Sequence, residues 1–268
     1  MKKKMICRFL VVLAVFVSVQ PTLFAVGKKD AARAANPPRT ILIAAAASLE
    51  YAYVQALIPR FREKYPWITV EGTYDSSGKL QTQIEQGLEA DVFMSAAVRQ
   101  MDALADQGLV VKDSILPLLE NKIVLIKPAG TSTAVSGFEN AAQARVIALG
   151  DPASVPAGQY AREVFTSLGN WAAVEARASF GTNVTEVLNW VGEGSAEVGV
   201  VYATDAAVTN KVEIIAEAPA GSLSAPVIYP VGIVAASAHP EEARLFVDFL
   251  ASEEGLAVFR SYGFSPNH

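Results

Sequence analysis

The chain has 268 residues, 51% of them hydrophobic and 18% charged, and 27 acidic side chains against 22 basic ones give a net charge of −5. That is a globular composition with material for one large or two medium domains. The acidic balance argues against nucleic acid or an anionic membrane as partner, and a lone cysteine, Cys7, leaves no disulfide framework.

The N-terminus reads apart from the rest. "MKKKMICR" is basic, "FLVVLAVFVSV" is apolar and "QPTLFA" ends on a small residue. Residues 1–25 are expected to be a secretory signal peptide, cut after Ala25, which places the protein in the periplasm. An uncleaved membrane anchor is the lesser alternative, because the apolar stretch is shorter than the ~20 residues a spanning helix requires. Cys7 precedes the apolar stretch, whereas a lipoprotein cysteine would follow it. Loss of Lys2, Lys3, Lys4 and Arg8 leaves 18 basic residues against 27 acidic, a net charge near −9. Residues 26–37 read as a flexible tether running into Pro37 and Pro38.

Strand and helix patterns then alternate. "TILIAAAA" (40–47) reads as a buried strand. A helix is expected over 49–65, with Leu49, Tyr53, Ala56, Leu57 and Phe61 on one face and a kink or break at Pro59. "ITVEGTY" (68–74) alternates like a strand, and "SSGKLQTQIEQG" (76–87) like a helix stopped by Gly87. A short strand, 91–96, precedes a helix to Gly108. "NKIVLIKP" (121–128) and "ARVIALGDP" (144–152) are strands. Helices are expected from Pro156 to Gly169 and over 183–194, the second opened by an Asn183/Glu186 capping box. "EVGVVYATDAA" (197–207) is a strand entering a turn, "PVIYPVGIV" (226–234) is a strand, and helices near 240–250 and 253–261 end the chain. This alternation implies α/β architecture with parallel or mixed sheets, in which ligands bind at the carboxyl ends of strands.

Five strand-to-helix junctions carry small residues, hydroxyls or open amides. Ser48 in "AAAASLE" would cap its helix if nothing else acted on it. Ser76, Ser77 and Gly78 open another helix, the glycine leaving room for a ligand. Pro156-Ala157-Gly158 sets small residues over open N–H groups, and the amides of Val184 and Thr185 lie in a first turn. Tyr202 closes an apolar strand with a phenol that needs a partner. Lys79 is the only cation among the five. The set suggests an anion held by neutral dipoles. A site made of donors suits a fully deprotonated oxyanion such as molybdate, tungstate or sulfate over phosphate, unless Asp75 or Asp151 reaches in.

"AAASL", "SSGKLQTQIEQGLEADVFMSA", "VPAGQYA", "VGVVYATDA" and "YPVGIV" resemble, in order, the periplasmic molybdate-binding proteins of molybdate ABC transporters. The resemblance runs from about residue 40 to "FRSYGF" (259–264). It implies a type II periplasmic binding protein fold, two lobes with mixed sheets joined by two crossing segments. Lobe 1 would comprise 38–120 and the returning segment 228–268, and lobe 2 would comprise 121–227. It further implies ligand contacts from Ser48, Ser77, Ala157, Val184 and Tyr202, the alanine and valine through their amides. The implied ligand is molybdate or tungstate, with no metal other than the molybdenum of the oxyanion and no cofactor. The implied partner is a membrane permease, and the expected state is a monomer. Pro59 and the tether lie outside the family pattern.

Two rival readings stand beside this one. A binding protein of the same fold could carry another oxyanion, such as sulfate or thiosulfate. A secreted hydrolase would need a nucleophile and a base, yet His239 and His268 are the only histidines and no G-x-S-x-G occurs. The pairs Glu241-Glu242 and Glu253-Glu254 sit near helix starts, where the helix dipole favours them.

Overall fold

The computed structural model describes residues 36–267. The expected signal peptide and most of the tether lie outside the described residues.

Eleven strands among these residues form two mixed sheets. The first sheet runs β11-β4-β10-β3-β1-β2. Its strands are β1 (Arg39–Ala46), β2 (Ile68–Asp75), β3 (Val92–Met94), β4 (Leu116–Asn121), β10 (Val227–Ile233) and β11 (Ser265–Pro266). The second runs β7-β6-β8-β5-β9, from β5 (Ile123–Pro128), β6 (Ile147–Gly150), β7 (Ala178–Gly181), β8 (Val198–Tyr202) and β9 (Val212–Glu217). Each sheet is the core of one lobe. In the first, β1 pairs in parallel with β2 and β3, and β10 lies antiparallel beside β3. In the second, β6 pairs in parallel with β7 and β8, and β5 lies antiparallel beside β8. Both lobes therefore repeat one plan: a first strand flanked by the next two, closed by an antiparallel strand from the far side of a crossing.

Burial explains the strand patterns. Along β1, Ile41, Ile43 and Ala45 join the main core while Ala44 packs on the opposite face with Leu80, Phe93 and Leu104. Both faces of the sheet are covered, so the segment reads as continuously apolar. All five residues of β8 are buried. Helices α3 (Ser77–Glu85), α4 (Val98–Asp106), α5 (Pro156–Ser167) and α7 (Val184–Gly192) follow strands β2, β3, β6 and β7. Gly87, Gly108, Gly169 and Gly194, each just past a helix, have positive φ, as helix-stopping glycines do.

Three expectations need correction. Pro59 does not break its helix. The helical stretch from Ala47 to Lys64 starts as a 3-10 turn, passes through α1 (Glu50–Ala52), widens to a π turn over Tyr53–Leu57 and continues as α2 (Ile58–Lys64). The Ile58 N–H bonds the Tyr53 carbonyl, five residues back. A wider turn beside the proline absorbs the steric conflict that its ring would otherwise create with the preceding turn. Leu49, Tyr53, Leu57 and Phe61 still form one buried face, and the Phe61 ring meets Phe246 edge-on at 4.9 Å.

The segment read as one strand over 121–128 is the end of β4 and the whole of β5, parted by Lys122 where the chain passes from one sheet to the other. Strand β4 was unread because Pro117 interrupts its pattern. Pro117 faces Pro230 at the irregularity in the β4–β10 ladder, where a missing donor is tolerated. Finally, Ser48 is not a helix cap. The cap of its 3-10 turn is Ala46, with no side-chain bond.

Candidate functional site

One cavity gathers all five candidate residues. Ser48, Ser77, Ala157, Val184 and Tyr202 line it together with Ala46, Ala47, Asp75, Ser76, Ala96, Val155 and Pro156. Every one of these residues sits at or just beyond the carboxyl end of a strand. Three strands of each sheet contribute: β1, β2 and β3 from the first, β6, β7 and β8 from the second. This is where α/β sheets place ligands, and here two such sheets face one another.

Helix N-termini supply most of the wall. The 3-10 turn brings Ala47 and Ser48, α3 brings Ser77, α5 brings Pro156 and Ala157, and α7 brings Val184. Ala157 and Val184 are the second and first residues of their helices, so neither amide has an intrahelical acceptor. The helix dipoles add partial positive charge at the same ends. A wider groove lined by Val98, Arg99, Tyr160, Arg162, Ser222 and Pro226 lies elsewhere. It has one helix N-terminus, that of α4, against the cavity's four.

The hydroxyls are held by specific partners. Ser76, not Ser77, caps α3, its Oγ accepting from the Lys79 N–H at 3.4 Å. Ser77 is free for another task, and its Oγ accepts from the Ala96 N–H at 2.9 Å. The Ser48 Oγ lies 3.0 Å from the Tyr229 hydroxyl. Tyr202 donates its hydroxyl to the Ala96 carbonyl at 3.3 Å, a bond from lobe 2 to lobe 1. Burial, followed by the neighbouring Tyr229, raises the Tyr202 pKa well above that of a free phenol, so it stays a neutral donor. Below it, Asp205 accepts from the Tyr202 N–H at 3.0 Å, and burial lifts its carboxyl to about 7.

No lysine, arginine or histidine lines the cavity. Asp75 does line it, but its Oδ1 accepts from the Ser76 N–H at 2.7 Å, Lys79 Nζ at 3.3 Å and Asn183 Nδ2 at 3.3 Å. Its charge is thus turned to protein donors. Asp151 is not among the lining residues; its Oδ1 accepts from the Ala153 N–H at 2.9 Å. The expected capping box of α7 is modified. Asn183 Oδ1 accepts from the Glu186 N–H at 3.0 Å, whereas Glu186 reaches Thr182 N–H, one residue further back, at 2.6 Å.

Gly78 has a different role from the one its sequence suggested. Its N–H donates to the Ser154 carbonyl at 3.0 Å, and a Cβ on it would overlap the Ser154 backbone. It admits the other lobe rather than a ligand. Sequence reasoning also missed Ala96, Asn121, Tyr229 and Asp205. A small residue after "DVFMS" was the only signal for the first; Asn121 and Tyr229 act through partners far away in the chain, and Asp205, in α8 (Ala203–Ala207), accepts from the Tyr202 N–H only three residues back.

Comparison with known proteins agrees with this geometry. A family model described as bacterial extracellular solute-binding protein matches residues 41–265. The chain belongs to that family. It is 42% identical over 84% of its length to a Bacillus subtilis protein, YvgL, covering 86% of that protein, which is provisionally named an ABC transporter substrate-binding lipoprotein. It is 36% identical to the molybdate-binding protein ModA of Haemophilus influenzae, over 84% of this chain and 89% of that one. Among solved structures, a substrate-binding domain from Clostridium difficile, provisionally assigned to a molybdenum ABC transporter, is 34% identical with a TM-score of 0.66. The match covers 86% of this chain and all of that one. The family consists of solute-binding proteins, and the two-lobed fold with mixed sheets is the one shared with these relatives.

Proposed function

We propose that this protein captures molybdate, with tungstate as its near-isosteric congener, in the periplasm and delivers it to an ABC permease. The observation that carries this reading is the cavity itself: four helix N-termini and four hydroxyls, with no lining cation. Neutral donors fixed in place can hold a doubly charged oxyanion without a counter-ion. The relatives named for molybdate and molybdenum transport support the choice among oxyanions.

The protein acts by binding and without catalysis. Ser48 and Ser77 approach from lobe 1, and Ala157, Val184 and Tyr202 from lobe 2. The chain changes sheet at Lys122 and between β9 and β10, which supports a division close to 38–120 plus 228–268 against 121–227, with Asn121 and Val227, paired in the first sheet, going to lobe 1. An anion between the lobes completes both half-sets of donors and draws the equilibrium toward the closed form. The closed form is what the permease reads.

The test is a thermal-shift and calorimetric series with molybdate, tungstate, sulfate, phosphate and an amino acid. Ligand at a hundredfold excess over Kd stabilises by about 2.7 kcal/mol. Molybdate and tungstate should raise Tm at micromolar concentration and the others should not. Equal shifts with sulfate at the same concentration would replace the molybdate reading by a sulfate one.

A further inference from the structure

The cavity wall holds one residue that an anion site should avoid. Asp75 lines it, and a carboxylate beside a bound dianion repels it. Its place in the fold gives it a use. Strand β2, which ends on Asp75, is the outer edge of the first sheet, and β7, which leads to Asn183, is the outer edge of the second. Both edges lie across their sheets from the strands that carry the two crossings, β4 with β10 and β5 with β9. Asp75 and Asn183 therefore meet on the side where the lobes would part. There Asn183 Nδ2 donates to Asp75 Oδ1 from one lobe to the other at 3.3 Å.

Lys79 answers the charge. Its Nζ lies 3.3 and 3.4 Å from the two oxygens of Asp75, and it does not itself line the cavity. The lysine sits in the first turn of α3, where the helix dipole disfavours a cation. A partly exposed ion pair adds little to stability, and the side chains of Lys79 and Asp75 keep 37% and 27% of their surface exposed. Neither helix electrostatics nor stability accounts for a lysine here; the carboxylate in the cavity wall does. Two further carboxylates stand at the strand ends of lobe 2: Asp151, just after β6, and Glu186, in the first turn of α7. Both accept from backbone N–H groups, and neither has an ion pair among the described residues.

We propose that Lys79 is a positioning residue for anion capture that acts through Asp75: it offsets the charge of a carboxylate that joins the two lobes at the cavity's outer edge. The inference rests on the oxyanion reading above. Asp75 gives the closed form an acceptor for Asn183 of lobe 2 and for the Ser76 N–H of lobe 1. Without Lys79, that acceptor would set an uncompensated negative charge beside a doubly charged ligand, in a chain already acidic overall. With Lys79, the latch between the lobes carries no net charge.

The experiment measures Kd and association rate for molybdate and for sulfate, at low salt and at about 0.15 M salt. The proteins are wild type, Lys79→Met, Lys79→Arg, Asp75→Asn and the Lys79→Met, Asp75→Asn double variant, with Tm recorded for each without ligand. Lys79→Met should weaken molybdate by about tenfold at low salt, largely through slower association. Added salt should recover part of that loss, because it screens the bared carboxylate. Lys79→Arg keeps the charge and should lose far less. In the Lys79→Met background, Asp75→Asn keeps an oxygen for Ser76 and Asn183 and should recover most of the lost affinity. Tm should move by no more than about 2 °C in the lysine variants, as expected for an exposed pair.

A merely structural role for Lys79 would leave the salt dependence of association as in wild type and would not be repaired at Asp75. Unchanged affinity in Lys79→Met, a loss that is equal at both salt concentrations, or a double variant as weak as Lys79→Met overturns the proposal while anion binding by wild type still stands. If wild type binds sulfate and not molybdate, the molybdate reading falls and the same comparisons made with sulfate decide this inference. If wild type binds neither anion, the oxyanion reading and this inference fall together.

Discussion

Gly78 of α3 and Ser154 of the loop before α5 meet backbone to backbone across the two lobes, the glycine N–H donating to the serine carbonyl at 3.0 Å. A Cβ on Gly78 would overlap that carbonyl and the Ser154 Cα. The contact joins residues that follow strands of the two different sheets, so opening of the cleft would break it. Gly78→Ala should therefore disfavour closure while leaving each lobe intact. Apparent affinity scales with the fraction of closure-competent protein, so molybdate Kd should rise at least about tenfold. The Tm of the free protein should stay within about 2 °C, because an exposed alanine in an open cleft costs little. Calorimetry with a parallel melting curve checks both.

The two hydroxyls that end the cavity wall make a second prediction. Ser48→Ala and Tyr202→Phe each remove a donor facing a charged acceptor, and such a bond contributes about 1.5–3 kcal/mol. Each variant should weaken molybdate by roughly ten- to a hundredfold. The Tyr202 hydroxyl has one proton, given to the Ala96 carbonyl in this structure, so binding exchanges that bond for one to the anion and the loss in Tyr202→Phe should be no larger than in Ser48→Ala. Ala47→Val should weaken binding as well, because Ala47 is a buried lining residue and two added methyl groups would take up space at the cavity wall. If affinity is unchanged in the Ser48→Ala, Tyr202→Phe double variant, neither hydroxyl is a ligand.

Much of this arrangement was legible before any coordinates. The alternation of apolar strands with amphipathic helices gave the α/β class, and small residues after strand ends marked the junctions that the fold brings together. What remained hidden has physical causes. Ser48 reads as a cap because serine at a helix start usually is one; its real partner, Tyr229, is 181 positions away. Ser76 and Ser77 are adjacent hydroxyls, and only the helix phase separates the cap from the cavity wall. Strand β4 hides behind Pro117, and the π turn behind Pro59, because each proline breaks a pattern that the tertiary structure repairs. Gly78 looked like clearance for a ligand, since sequence cannot show which lobe will press against it.

Asn183 permits a separation of stability from closure. Its Oδ1 caps α7 through the Glu186 N–H, while its Nδ2 reaches Asp75 in the other lobe at 3.3 Å. Asn183→Ser keeps a capping oxygen and loses the bridge. It should leave Tm nearly unchanged and weaken molybdate by about two- to tenfold, the range of one neutral-to-charged hydrogen bond that is partly exposed. Asn183→Ala loses both and should also destabilise the free protein by about 1 kcal/mol. Urea titration of the free proteins and calorimetry of the complexes distinguish the two functions. Equal stability losses in the two variants would show that the serine cannot cap here.

Asp205 makes the last prediction, one of pH. Its carboxyl is buried beneath Tyr202, and folding raises it from an ordinary carboxylate value to about 7, burial outweighing the bond from the Tyr202 N–H. Tyr202 and Tyr229 are the titratable groups influenced by it, and burial holds both phenols neutral through this range. A carboxyl with a raised folded-state pKa binds its proton more tightly in the native protein than in the unfolded chain. Its contribution to stability is therefore complete below about pH 4 and is lost as pH rises through about 7. Asp205→Asn keeps an oxygen to accept from Tyr202 N–H and carries no charge to bury. The variant should match wild type near pH 5 more closely than at pH 8, and at pH 8 it should be the more stable protein. A gap of about 4 kcal/mol is the upper bound from a shift of roughly three units. Denaturation midpoints of both proteins from pH 5 to pH 8 give the test. A difference that does not grow with pH would show that Asp205 is ionised in the folded protein throughout, with its charge met by the helix start of α8 rather than expelled.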